Sequence, residues 1–395
     1  MKILIYCQHV WGLGHLFRTL AIARALKDHD VVLVTGGPEM PLPLPRHVRR
    51  FQLPGLRMQA DRQLVGTDGR AAETVWPERI ACLHERFRTE APDVFLVELY
   101  PLGRTAFGRE LNPLLERIRS GGRPRCRVYC SVRDILVEKR DTKAYEDRVG
   151  RRLNRWFDAL LVHADPSLIA LDATFTTLAA IKIPVVYTGY VARPSVNGSG
   201  RAAMRRQIGL PDDEKLIIVS AGGGQSGYPL LAAALELQRQ GKLPAGGRMA
   251  LFTGPYLPEA HQAALQAAAA PGIVIRRFSD DFRDWLGAAD LSISMAGYNT
   301  CMDILTTGVP ALVWPYAGDR EQPLRAARLA EKGWLSVLED VDLAPEPLGL
   351  RIAAALTPAP RPIGRLDLQG AVNTVRFIET QHRTRPLTGG REGLL

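Results

Sequence analysis

Residues 290–333 read DLSISMAGYNTCMDILTTGVPALVWPYAGDREQPLRAARLAEKG, and this stretch decides the fold. The apolar run Leu291 to Met295 predicts a buried strand and Ala296-Gly297 a turn. Asn299 to Thr307 predicts a helix and Val309 to Trp314 a second buried strand, ahead of a polar loop and another helix. Short buried strands alternating with helices build parallel sheets, whose usable surface lies beyond the carboxyl ends of the strands. The turns at 295–300 and 316–322 are therefore expected to face one crevice and see one ligand.

Gly297, Tyr298, Asn299 and Thr300 open a helix whose backbone N–H groups and positive dipole end suit a phosphate. Asp303, one turn further on, can accept two hydrogen bonds from a sugar diol. Asp319, Glu321 and Gln322 form a cluster of acceptors suited to hydroxyls. The stretch reads as a site for a nucleotide and a sugar.

Upstream, the strand beginning at Lys215 runs into Gly222-Gly223-Gly224, where successive N–H groups can form an anion nest, without the Lys-Ser pair of a Walker loop. Strands at Met249 to Thr253 and Ile273 to Phe278 follow, with helices at Glu259 to Ala270 and Asp281 to Ala288. The best linker by Gly, Ser and Pro content is Ala192 to Arg201.

The first half alternates in the same way. Lys2 to Gln8 predicts a strand, Trp11-Gly12-Leu13-Gly14-His15 a turn, Leu16 to Lys27 a helix and Asp30 to Thr35 a strand. A dinucleotide fingerprint needs a third glycine, but Phe17 stands there, and no acid ends the second strand; no nicotinamide, flavin or other cofactor is expected. Residues 38–74 read as a solvated loop, with Arg46 to Phe51 as a mixed basic and apolar segment able to touch a membrane surface. Helices follow at Pro77 to Glu90, Arg104 to Ser120 and Ala144 to Trp156, with strands at Val94 to Leu99, Arg127 to Val132, Ala159 to Val162 and Pro184 to Val191. Strand ends carry Glu98, Arg133-Asp134 and His163-Ala164-Asp165. The two aspartates read as caps, whereas Glu98 interrupts an apolar run, needs a partner if buried, and is expected to orient His15. After a strand at Leu335 to Leu338 comes a proline-rich passage from Pro345 to Pro362 and a last helix from Asp367 to His382.

A chain of 395 residues with 46% hydrophobic content supports two domains. Five cysteines without a CxxC pair argue for reduced thiols, with no disulfide and no metal site. The start, MKILIYCQHV, is a strand rather than a signal peptide, so a cytoplasmic protein is expected. The net charge of +10 lacks any arginine-aromatic interleaving, so nucleic acid is not expected as a partner.

The run G-Y-N-T-x4-L-x2-G-x-P-x-L-x2-P, followed by D-R-E-Q-x2-R-A, resembles the donor-binding half of GT-B glycosyltransferases, most of all the MurG branch and its UDP-glycosyltransferase relatives. The turn with Gly12, Gly14, His15 and Arg18 resembles the amino-terminal turn of the same enzymes, where the histidine lies in the acceptor cleft. The resemblance implies two Rossmann-like, doubly wound parallel-sheet domains facing a central cleft. Residues 1–191 would bind the acceptor, 192–201 would link, 202–364 would bind the nucleotide-sugar, 365–382 would cross back to the first domain, and 383–395 would be a disordered tail. It implies that Asp303, where the family usually has Glu, holds the ribose diol, that Glu321 and Gln322 hold the donor sugar, and that backbone at Phe278 and Ser279 reads uracil.

The expected reaction is metal-independent, inverting transfer of a sugar from a nucleoside diphosphate, such as UDP-GlcNAc, to a hydroxyl of a small or lipid-linked acceptor. His15 is the expected base and Glu98 its partner, with Arg133 in the acceptor cleft. Inversion is expected because Met295 stands eight positions before Asp303, where retaining relatives carry a second Glu. Peripheral contact with the inner face of a membrane is compatible with a lipid-linked acceptor. The rivals are a UDP-sugar 2-epimerase or nucleotide-sugar hydrolase of the same fold, and a non-catalytic nucleotide-sugar sensor.

Overall fold

The computed structural model describes all residues except 11, 41–42, 60, 62, 122–125, 137–140, 193–199, 245, 271–272, 319, 358–364 and 385–395. The chain divides into two compact units, 1–191 with 366–395, and 192–365.

The first unit is laid down as β1 (Lys2–Tyr6), α1 (Gly14–Ala25), β2 (Asp30–Thr35), β3 (Val48–Gln52), a small antiparallel hairpin of β4 (Leu56–Met58) and β5 (Leu64–Gly66), and α2 (Ala72–Glu90). It continues with β6 (Val94–Glu98), α3 (Gly108–Ser120), β7 (Arg127–Arg133), α4 (Thr142–Trp156), β8 (Ala159–His163) and β9 (Val185–Tyr187). The second holds α5 (Gly200–Gln207), β10 (Lys215–Ser220), α6 (Tyr228–Arg239), β11 (Gly247–Phe252), α7 (Glu259–Ala268), β12 (Val274–Arg276), α8 (Phe282–Ala288) and β13 (Leu291–Ser294). It ends with α9 (Tyr298–Thr307), β14 (Ala311–Val313), α10 (Glu321–Glu331), β15 (Ser336–Val337) and α11 (Pro345–Leu356).

Both sheets are parallel. The first runs β3-β2-β1-β6-β7-β8-β9 and the second β12-β11-β10-β13-β14-β15. The central strands are continuous apolar runs because both sheet faces are covered; KILIY, VFLVE and LSIS are buried almost throughout. In each sheet the chain reverses its direction of travel once, between β1 and β6 and between β10 and β13. A crevice opens at such a switch point, outside the carboxyl ends of the strands.

The last helix, α12 (Gly370–Thr384), belongs to the first unit. It packs on α1, His29 Nε2 lies 3.1 Å from Glu379, and Phe377 meets Tyr129 edge-on at 5.5 Å. Tyr190 N–H donates to Asp367 O at 2.7 Å and Gly370 N–H to Tyr190 O at 2.9 Å, fixing the chain where it rejoins this unit.

Two expectations fail. Residues 48–52 are not loop but the edge strand β3, paired with β2. Its arginines are consumed within the unit: Arg49 bonds Asp30 and Glu90, Arg50 bonds Thr35, Gln52 and Met40 O, and Arg86 stacks on Phe51 at 4.1 Å. Charge is tolerated because an edge strand has one free side. The proline-rich passage begins with a helix, α11, since Pro345 and Pro347 fall in its first turn, where a helix needs no N–H.

Candidate functional site

At the first switch point, β1 leads through Gly12 into α1, and β6 ends at Glu98. Gly12 takes φ +73 with open space around it, a conformation that suits glycine, and Gly14 begins the helix. His15 and Arg18, one turn apart on α1, both reach Glu98. His15 Nδ1 lies 2.7 Å from Glu98 Oε1, Arg18 donates to that same oxygen, and Arg18 Nη2 is 3.2 Å from His15 Nδ1. The Arg18 and Glu98 side chains are 1% exposed and His15 is 12% exposed.

A carboxylate can only accept, so the short contact places the imidazole proton on Nδ1 and leaves the lone pair on Nε2. Burial lowers His15 to about 4, against the opposing pull of Glu98, so the ring is neutral near pH 7. Burial works to raise the Glu98 carboxyl, but His15, Arg18 and Arg104 outweigh it and hold it at about 2. Among the described residues nothing hydrogen-bonds His15 Nε2. The arrangement is a base oriented by a buried acid, chemically equipped to take a proton from a hydroxyl.

Arg133, the last residue of β7, stands opposite His163 in the sheet and acts on His15 by its charge. His163 is a satisfied core group: Ser131 Oγ lies 2.7 Å from its Nε2 and Thr188 Oγ1 2.8 Å from its Nδ1. Asp134 accepts from Ile135 N–H at 2.9 Å, while Asp165 accepts from Ser167 N–H and from the distant Asp367 N–H; neither stands at the start of a helix, so the expected capping role is not what they perform.

At the second switch point Gly222-Gly223-Gly224 follows β10, and Gly297 to Thr300 follow β13. A Cβ on Gly222 would lie 3.9 Å from Thr300 Oγ1, which puts the two turns side by side. The full three-amide nest is not present. Gly222 N–H donates to Ser220 Oγ at 3.2 Å and Gly224 N–H to Ala221 O at 3.0 Å, because the turn closes on itself. Among the described residues Gly223 N–H has no hydrogen-bond acceptor in this turn. Gly222 and Gly224 have φ +60 and +95, and side chains at Gly224 or Gly254 would strike neighbouring backbone.

Gly297 caps α9 with φ −65 and nothing within 4 Å of its Cβ position, so the helix N-terminus opens on free space. Tyr298, Thr300 and Asp303 are buried, Asp303 to 2% exposure. Arg325, fully buried, ties this turn to the next: its Nη1 donates to Ala296 O at 3.1 Å, its Nη2 to Glu321 at 2.9 Å, and its guanidinium lies 5.4 Å from the Tyr298 ring centre. Gln322 accepts from Tyr316 N–H at 3.1 Å, which leaves its amide NH₂ for other partners. Phe278 is 45% exposed just past β12, and Ser279 bonds Asp281. Asp319 lies outside the described residues.

Sequence reasoning missed Arg325, although its place four residues after Glu321 on one helix was a usable signal. It also missed Arg104, for which no spacing rule exists.

Residues 218–367 match the model of the glycosyltransferase family 28 C-terminal domain. The UDP-N-acetylglucosamine--N-acetylmuramyl-(pentapeptide) pyrophosphoryl-undecaprenol N-acetylglucosamine transferase of Desulforudis audaxviator is 27% identical over 189 residues, covering 46% of this chain and 50% of the relative. The protein of the same name from Mycobacterium tuberculosis is 28% identical over 198 residues, 47% of each chain. The chain thus spans about half the length of the curated relatives it matches.

Acinetobacter baumannii MurG superposes with a TM-score of 0.54 at 17% identity, over 97% of this chain and 99% of the other. A putative UDP-N-acetylglucosamine 2-epimerase from Listeria monocytogenes superposes with 0.61 at 15% identity, over 100% and 99%. At such identities the likeness carries the fold and leaves the reaction open. Residues 218–367 thus match the glycosyltransferase family 28 C-terminal domain, and the chain as a whole has the GT-B fold of the glycosyltransferases that superpose on it.

Proposed function

We propose that this chain is an inverting glycosyltransferase that works without a divalent metal or other cofactor. It would move a sugar from a nucleoside diphosphate, UDP-GlcNAc being the first candidate, to a hydroxyl of a small or lipid-linked acceptor. The observation that carries the reading is the His15–Glu98 pair, 2.7 Å apart at the switch point of the first sheet, in a chain whose second unit is a glycosyltransferase family 28 domain. The name borne by the curated relatives supports UDP-N-acetylglucosamine as donor and a lipid-linked acceptor.

His15 Nε2 takes the proton of the acceptor hydroxyl, and Glu98 positions the ring. The acceptor oxygen forms a bond to the anomeric carbon as the bond to the diphosphate breaks, and the electron pair leaves with the nucleotide. The growing negative charge is met by fixed dipoles, the first N–H groups of α9 and that of Gly223, which need no reorganisation. Asp303 takes the ribose diol, Glu321 and Gln322 with Asp319 the sugar hydroxyls, and the backbone at Phe278 and Ser279 the base. Met295 is buried and carries no charge, so the position that would supply a second carboxylate in a retaining relative is empty of one. With a lipid-linked acceptor the enzyme would work at the cytoplasmic face of a membrane; no helix among the described residues is long and apolar enough to cross one.

The test is a panel of UDP-, GDP- and dTDP-sugars scored by thermal shift and by nucleotide release, on wild type, Asp303→Ala and His15→Ala. Stabilisation by UDP-sugars that Asp303→Ala loses, together with a His15→Ala variant that binds donor and does not turn over, supports transfer. Fast release with no acceptor points to the hydrolase or epimerase reading. Turnover undiminished in His15→Ala refutes the assigned base.

A further inference from the structure

The candidate base sits in an unbalanced field of charge, one carboxylate facing three guanidinium groups. Arg18 on α1 is bonded to Glu98 Oε1, Arg104 on the loop after β6 acts on the same carboxylate, and Arg133 at the end of β7 acts on His15. The other titratable groups facing the pair carry no charge near neutral pH: burial pushes the Cys7 thiol of β1 up to about 12 and lowers His163 of β8 to about 3. Helix α12 also packs on α1, but its ion pair there, Glu379 with His29, lies beyond the last turn of α1.

Arg104 is held in this field unfavourably. Its side chain forms no hydrogen bond or ion pair among the described residues, its Nε is buried without an acceptor, and burial lowers its guanidinium below the usual arginine range against the pull of Glu98. The loop that presents it is over-determined. Leu99 and Arg104 hold φ +67 and +53, a region non-glycine residues rarely occupy and one that collects at functional sites. Leu99 N–H donates to Ser131 O at 2.8 Å, Gly103 N–H to Leu99 O at 2.9 Å, and Tyr145 OH to Leu102 O. Local packing gives the guanidinium no partner, yet its charge reaches the pair.

An imidazole bonded to a buried carboxylate is drawn toward the imidazolium, because an opposite charge favours the protonated ring. A protonated ring has no lone pair on Nε2 to offer a hydroxyl. Burial is the largest influence against protonation of His15, and the charges of Arg133 and Arg18 add to it. Since His15 Nδ1 and Glu98 Oε1 are 2.7 Å apart, a cation close enough to act on one acts on both, favouring the carboxylate and disfavouring the imidazolium.

We propose that Arg104 and Arg133 are positioning residues that act through the His15–Glu98 pair, confining the proton to Nδ1 of a neutral ring and keeping Glu98 a pure acceptor. The consequence for turnover rests on His15 being the base; the effect on the ring does not.

The experiment follows the histidine ring signals of the full, isotope-labelled chain by NMR from about pH 8 to about pH 5, with His15→Ala assigning the signal. It is run on wild type, on Arg104→Met, Arg133→Met and their double, and on a double Arg104→Lys, Arg133→Lys variant that keeps both charges. Wild-type His15 is expected to stay neutral throughout, its midpoint lying near 4. A unit charge about 8 Å away in partly buried surroundings changes a proton affinity by about tenfold. The double Met variant is therefore expected to raise the midpoint by at least about one pH unit, with a smaller rise in each single variant, and the double Lys variant to stay close to wild type. An unchanged midpoint in the double Met variant, or an equal rise in the double Lys variant, would overturn the proposal. If the double Met variant does not fold, the single variants carry the same test, and loss of folding in all three overturns it by making the arginines structural. The acid limb of kcat/KM is read on the same preparations: a limb that moves with the ring bears out both readings, whereas a limb that stays while the ring moves counts against His15 as the base and leaves the charge effect standing.

Discussion

The Arg18–Glu98–His15 cluster makes a prediction that separates positioning from stability. Arg18 and Glu98 are both 1% exposed and share one carboxylate oxygen with His15. Removing one partner of a buried ion pair strands the other charge and costs about 3–5 kcal/mol, whereas replacing both by neutral groups of similar shape is often close to neutral. Glu98→Gln and Arg18→Met should therefore each cost about 3–5 kcal/mol, which for a unit of this size lowers its melting temperature by on the order of 10 °C. The double variant should recover most of that loss. Turnover should not recover with it, because a neutral amide no longer enforces the proton on His15 Nδ1; a loss of about 10²–10⁴-fold is expected in Glu98→Gln and in the double variant alike. His15→Ala completes the set: Arg18 and Glu98 stay paired, so stability should fall by only about 1–2 kcal/mol while turnover falls as far. The assays are urea unfolding and steady-state turnover on the same preparations. A double variant with wild-type turnover would show Glu98 to be purely structural, and a Glu98→Gln variant as stable as wild type would contradict the burial of the pair.

Four further outcomes follow from the geometry. The acid limb of kcat/KM should lie near pH 4, the value to which burial lowers His15, so a limb near pH 6.5 would place the base elsewhere. Stability has the matching sign: His15 at about 4 and His163 at about 3 bind protons more weakly folded than unfolded, so their contribution is full above pH 6.5 and is lost as pH falls through those values. Replacing His163 by Asn should flatten the loss seen in unfolding curves across that window. At the second switch point, Gly297→Ala should fold as well as wild type, with φ −65 and no atom within 4 Å of the new methyl, yet bind donor at least tenfold more weakly if the diphosphate approaches α9 as proposed; unchanged affinity would remove the ligand from that helix end. Arg325→Met should cost about 3–5 kcal/mol in the second unit and raise the donor KM, since it removes a fully buried partner of Glu321 and releases Ala296 O; unchanged unfolding would argue against the link between the two turns.

What the sequence disclosed follows from where each signal sits along the chain. The strands β1, β6 and β13 are apolar runs that no solvent-facing element tolerates, and the glycine turns after β10 and β13 are local, so both sheets and the second switch point were legible. Edge strand β3 was not, because its arginines look like a solvated loop until Asp30 and Glu90 come alongside from other elements. Helix α11 was hidden by prolines that count against a helix anywhere but in its first turn, where they lie. The Gly222–Gly224 turn was read as three free amides, but the hydrogen bonds of Gly222 and Gly224 depend on how tightly the loop closes, which composition does not encode.

The two units share a strand order and differ in what they place at the switch point. The second offers backbone N–H groups and polar side chains from one continuous stretch of about forty residues, the kind of pattern that a motif captures. The first offers charged side chains drawn together from α1, the end of β6 with the loop after it, and the end of β7, three stretches far apart in sequence. A nucleotide is common to many reactions, so a site for it can be built from backbone and written as a motif. A site built from a few charges on separate loops is chemically particular. Under the proposed transfer the cluster around His15 and Glu98 is where the identity of the acceptor would be read, and a screen of acceptor hydroxyls against His15→Ala addresses it more directly than further comparison of the donor half.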